Sequence, residues 1–112
     1  MDDQPLLERL AQVESTFLGV EDHGIFTGVL RLKYDTSSGQ GAGTYDLRHS
    51  DAAFKFIAGV NKVCGVGSWE KVPGSMLIAL IRDGLVRGLR QVPTRGTFSF
   101  MFEDMYDKED VS

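Results

Sequence analysis

Residues 26 to 34 alternate with a period of two. Phe26, Gly28, Leu30, Leu32 and Tyr34 share one side, and Thr27, Val29, Arg31 and Lys33 share the other. A helix brings neighbours together about every 3.6 residues, so this pattern belongs to a strand with one face on a core. A lone strand buries nothing, so the pattern demands a sheet. The partner precedes it: Val13, Ser15 and Phe17 alternate with Glu14 and Thr16, which predicts a strand from Val13 to about Val20. Between the two lies Glu21-Asp22-His23-Gly24, a turn signal in which Gly24 supplies a positive φ. The expected unit is an antiparallel hairpin.

The remaining segments extend this unit. Residues 5–11 place Pro5 at a first helical position and Leu6, Leu7 and Leu10 on one face, which predicts a short helical turn. Residues 35–43 are rich in glycine and serine and read as a loop, with a third short strand over residues 44–47. Ser50 or Asp51 is the expected N-cap of a helix whose stripe is Ala53, Phe56, Ile57, Val60, Val63 and Cys64. Gly59 inside that helix costs about 1 kcal/mol against alanine, which implies close approach of another group. Gly65 is the expected C′ residue.

Residues 68–71 suggest one more helical turn, stopped by Pro73-Gly74. The apolar run 76–81, the Asp83-Gly84 pair and residues 85–92 predict a second hairpin. Phe98, Phe100 and Phe102 alternate on a last strand. The expected fold is α+β: an antiparallel sheet of five or six strands with one main helix packed on a face.

A chain of 112 residues supports one core, and the acidic residues delimit it. Residues 103–112 hold five acids against Lys108, whereas residues 1–102 hold 11 acids and 11 bases. We therefore expect a single domain over residues 1–102 and a solvated acidic tail over 103–112. The net charge of −4 argues against polymeric nucleic acid as a partner. No run approaches the ~20 apolar residues of a membrane span, and the acidic start differs from a secretory n-region. The lone cysteine, Cys64, and two histidines, His23 and His49, make neither an intrachain disulfide nor a zinc site. A cytoplasmic location follows as the expectation, with Cys64 as a small buried hydrophobe and with no metal and no cofactor.

Four constellations bear on function. Gly39, Gly41 and Gly43, with Ser38 and Gln40, leave backbone N–H groups unshielded. That segment is either a flexible connection or an anion cradle; it lacks both the Walker and the dinucleotide signatures. His23 beside Asp22 is either a plain turn histidine or a general base. Arg87 and Arg90, in a locally basic stretch between Arg82 and Arg95, are either surface charges or phosphate forks. Tyr45, Phe54 or Trp69 is able to stack a base, although most of the aromatics belong to the core. No paired carboxylates and no nucleophile with a placed base emerge, so the residues favour a binding module over an enzyme. A small phosphodiesterase using His23 and a plain protein-interaction module stay open as alternatives.

Three strings carry a resemblance: Thr16-Phe17-Leu18-Gly19-Val20-Glu21-Asp22-His23-Gly24-Ile25-Phe26-Thr27, Ser38-Gly39-Gln40-Gly41-Ala42-Gly43-Thr44-Tyr45, and Gly65-Val66-Gly67-Ser68-Trp69-Glu70. In that order, across residues 14 to 75, the chain resembles small phage proteins of the Thoeris anti-defence type, first class. The resemblance implies a molecular sponge, not an enzyme. Such a protein binds a cyclic ADP-ribose signal made by a host immune enzyme and holds it uncleaved. Some members bind cyclic oligonucleotides at separate sites, and they assemble as homo-oligomers. It further implies ligand-facing roles for His23, Gly24, Ser38, Gly39, Gln40, Gly41, Gly43 and Tyr45, with arginines such as Arg87 and Arg90 on the phosphates.

Overall fold

The computed structural model describes residues 5–21, 24–35, 38–44, 47 and 51–105. Strand β1 runs Leu7–Val20, β2 Phe26–Tyr34 and β3 Gly39–Thr44. Helix α1 spans Ala52–Cys64, followed by a 3₁₀ turn at Trp69–Lys71. Then come β4 (Met76–Arg82), β5 (Leu85–Arg90), β6 (Ser99–Met101) and a second 3₁₀ turn, Phe102–Met105. All pairings are antiparallel, in the order β3-β2-β1-β4-β5-β6. The α+β expectation holds: the described residues form one six-stranded sheet and one main helix.

From Leu30 onward the alternation in β2 does what its pattern requires, whereas Thr27, expected on the other face, is buried and Phe26 is only half-buried. Leu30, Leu32 and Tyr34 are buried, and Arg31 and Lys33 are exposed. Val13 of β1, Leu77 and Ala79 of β4, and Leu89 of β5 join them. Phe56, Val60 and Val63 bring the stripe of α1 onto the same core. Gly28 takes its place on the apolar face for a packing reason. A Cβ there would lie 2.6 Å from the Phe56 ring, which rests on the glycine.

The helix ends where expected, with Gly65 left-handed at φ 71° and its N–H bonded to the Asn61 and Lys62 carbonyls. Asp51 stands at the N-cap position without a side-chain hydrogen bond, and Ser50 lies outside the described residues. The β4–β5 hairpin turns on Asp83 (φ 57°) and Gly84 (φ 77°), both in the left-handed region that a two-residue turn of this hand requires.

Six local expectations are corrected. Residues 7–12 are not helical: they pair with residues 76–81 of β4, so β1 is one strand of 14 residues. Sheet pairing outweighs a weak helical pattern in a segment too short to hold a helix by itself. Leu7 and Leu10, the supposed buried face, remain exposed.

The Gly/Ser loop is also wrong in its second half, because residues 39–44 pair with β2 as β3. The third strand therefore ends at Thr44, where the expected one begins. Leu47 is a buried turn residue whose N–H bonds the Phe26 carbonyl, and residues 45 and 46 lie outside the described residues. Strand β5 stops at Arg90 instead of residue 92, and β6 is confined to Ser99–Met101. Within the expected tail, Met105 is buried in the second 3₁₀ turn, and residues 106–112 lie outside the described residues.

The sheet is strongly curled. Although β2, β1 and β4 separate them in the sheet order, β3 and β5 lie against each other. The result is a partly closed barrel.

Candidate functional site

The near-closure of the barrel creates a cleft of about 340 Å³ between the free edge of β3 and the β4–β5 hairpin. Gly41 and Gly43 form one wall. Arg82, Asp83, Leu85, Val86 and Arg87 form the other, and Met101, Phe102 and Glu103 form the end.

The hydrogen-bond phase of β3 decides what it offers. The Tyr34 N–H donates to the Ser38 carbonyl at 3.0 Å. In an antiparallel ladder the bonded pairs alternate, so Leu32–Gln40 and Leu30–Ala42 are the bonded pairs. The N–H and C=O groups of Gly39, Gly41 and Gly43 therefore point away from β2, toward the open edge. Two of these glycines have structural reasons to be glycine. A Cβ on Gly39 would sit 2.7 Å from the Leu32 carbonyl oxygen, and one on Gly43 would overlap the Gly28 carbonyl oxygen. Gly41 has no such reason, because its Cβ would meet only Val29 Cγ1, at 3.8 Å.

Gln40 holds the cleft in shape. Tyr34 donates its hydroxyl to Gln40 Oε1 at 2.7 Å, and Gln40 Nε2 donates to the Gly84 carbonyl at 2.7 Å. The Arg9 guanidinium lies over the Tyr34 ring at 4.0 Å. These contacts tie β1, β2, β3 and the β4–β5 turn together. Burial raises the Tyr34 hydroxyl pKa, against an opposing pull from Arg9, so the hydroxyl stays a donor.

Arg87 supplies the most exchangeable charge. Opposite Leu80 and Ile81 the register slips, and Arg87 is the extra residue of β5. Its Nε donates to the Arg82 carbonyl at 3.3 Å, and its Nη2 lies a loose 3.9 Å from Asp83. A half-exposed pair at that distance is worth little, so a ligand anion displaces Asp83 at small cost. Among the described residues two arginines and two acids line the cleft, which suits a ligand carrying both anionic and donor groups. Among the described residues that line it there is no histidine, cysteine or serine. Nor does any group of three or more metal-ligating side chains assemble among the described residues.

The structure brings Gly41, Gly43 and Arg87 together at the cleft, with Gln40 behind them. It separates Arg90, which is ion-paired with Glu8. Gly24 is an exposed turn residue with φ 80°, and it does not line the cleft. Gly39 is exposed at the head of β3, and Ser38 serves that strand's first pairing. His23 and Tyr45 lie outside the described residues.

Of the other stacking candidates, Trp69 packs against Phe56 with ring centroids 5.8 Å apart, and Phe54 projects from α1 away from the cleft. Arg82, Asp83, Met101, Phe102 and Glu103 were not anticipated as lining residues. The basic stretch between Arg82 and Arg95 was the only signal that pointed to any of them. No family model, curated protein or solved structure matches the chain. No helix among the described residues is long and apolar enough to cross a membrane.

Proposed function

We propose that the protein binds and sequesters a small cyclic nucleotide signal, of the cyclic ADP-ribose class, in the β3–β5 cleft without cleaving it. One observation carries the reading. Gly41 is a glycine without a packing requirement, and its open N–H faces a cleft that also holds Arg82 and Arg87. Backbone donors and guanidinium forks suit the phosphates, and Asp83 and Glu103 suit ribose hydroxyls or a base amine. The cleft volume lies at the lower end for small-molecule sites, which favours one compact ligand over a polymer. The protein acts in the cytoplasm as a homo-oligomer, for which exposed Leu10, Phe17 and Val20 supply apolar surface. Light scattering that reports a monomer at micromolar concentration overturns the oligomer.

The test uses cyclic ADP-ribose. It raises the melting temperature as a specific ligand does, and heat denaturation returns it intact. Recovery of a hydrolysed product supports a phosphodiesterase instead, and an unchanged melting temperature supports a module with no nucleotide ligand. Gly41→Val weakens binding by at least about tenfold, roughly 1.4 kcal/mol, while folding persists. Full affinity in that variant places the ligand elsewhere.

A further inference from the structure

We propose that a second cavity, between α1 and β6, binds a small anionic amphiphile: an apolar body the size of a medium acyl chain, ending in a carboxylate or sulfonate. This slot of about 320 Å³ shares only Met101 with the cleft among its described lining residues, so the inference stands apart from the nucleotide reading.

Its walls are apolar for reasons visible in the sequence. Ala58 and Gly59 remove bulk from one side of α1, and a Cβ on Gly59 would lie 2.8 Å from the Phe100 ring. Phe98 and Phe100 stack with centroids 6.1 Å apart and planes 21° from parallel. Phe54, on the opposite wall, is 72% exposed. An aromatic side chain left that open beside an apolar cavity makes a binding wall and contributes little to folding.

Charge selects the occupant. Lys55 and Lys62 both line the slot, seven residues apart, so two helical turns place them on one face. Lys62 Nζ sits 4.4 Å from the Phe98 ring centroid, and no carboxylate among the described residues pairs with either lysine. Asp104 is the single acid among the described residues of the lining. Lysine stems extend an apolar wall while their ammonium groups stay in water. A ligand with an apolar body and an anionic head satisfies both parts. A cationic amphiphile meets two like charges, and a neutral one leaves the ammonium groups unused.

The test follows the fluorescence of anilinonaphthalene sulfonate with the full chain, near-UV circular dichroism confirming native packing. One probe binds per chain, decanoate displaces it, and decyltrimethylammonium does not. Both lysines are exposed, so Lys55→Glu with Lys62→Glu keeps the native fold, at a melting temperature lowered slightly because Lys62 leaves the Phe98 ring and the last turn of α1, and weakens the probe by at least about tenfold. Ala58→Trp fills the slot from an exposed helix position and abolishes binding without altering charge. Absence of a signal from the unsubstituted protein overturns the proposal. So does equal displacement by the cationic amphiphile, unchanged affinity after charge reversal, or loss of the signal as the protein self-associates, which assigns the slot to a second copy.

Discussion

Strands β3 and β6 close the two ends of the same sheet, one with glycine at alternate positions and the other with phenylalanines in and around it. On β3 the side chains that would cover the backbone are missing, so N–H and C=O groups face a polar cleft. On β6 and its approach, Phe98 and Phe100 cover the backbone and wall an apolar slot. An exposed edge invites pairing with other chains, and each end answers differently. The glycine edge is shielded by the β4–β5 hairpin, latched through Gln40. The aromatic edge is shielded by α1, whose Gly59 admits the Phe100 ring. The same problem, solved with opposite residue types, leaves two cavities of opposite character.

The strongest way to break this comparison is Gly43→Ala. The new methyl overlaps the Gly28 carbonyl, and backbone on both sides leaves no flexible atom to yield. We expect a loss of about 3 kcal/mol, the upper end of overpacking, read by urea denaturation. Phe100→Ala strikes the other edge. Its ring is half-buried and also packs edge-on against Phe102 with ring centroids 5.7 Å apart, so we expect about 2 kcal/mol and a wider slot. Gln40→Ala cuts the latch and leaves the Tyr34 hydroxyl without its acceptor. The expected cost is about 1–2 kcal/mol, with faster amide exchange in β3 than in β6; equal exchange at both edges would show that the latch holds nothing.

Alkaline pH separates the core from the latch. Burial raises the Cys64 thiol pKa, outweighing the Ser75 hydrogen bond and the Arg95 charge that lower it. Tyr34 is raised for the same first reason. Both groups fold in their protonated forms, so the unfolded chain ionises first. Their contribution is complete below the unfolded thiol pKa of about 8.5 and is lost as pH rises through the folded values. Cys64→Ala should remove the earlier part of that decline and leave the part due to Tyr34. The smallest effect belongs to Gly41→Val, where the added Cβ meets only Val29 at ordinary contact distance. Its stability should change by no more than about 0.5 kcal/mol, in contrast to Gly43→Ala two residues away.

The legible parts of the fold were those where a residue's own stereochemistry decides. The β2 alternation from Leu30 onward, the Asp83-Gly84 turn and the Gly65 cap all behave as their residue types require. Residues 7–12 and 39–44 were misread because their strand character comes from β4 and β2, which local pattern does not contain. In the candidate site, Gly41, Gly43 and Arg87 were legible by residue type. Arg82 and Glu103, 21 positions apart in the chain, were not, because only the curl of the sheet makes them neighbours.

Gln40 marks the division most clearly. Its position among glycines suggested a ligand contact, whereas both ends of its amide are engaged by Tyr34 and Gly84. By itself the sequence determined which faces are apolar, where the chain reverses and which segments lack side chains, because these depend on each residue's own size, polarity and dihedral freedom. The tertiary structure decided which strands pair, which glycines are needed and which charges share a cleft. Those outcomes depend on distances between segments far apart in the chain, and sheet curvature sets them.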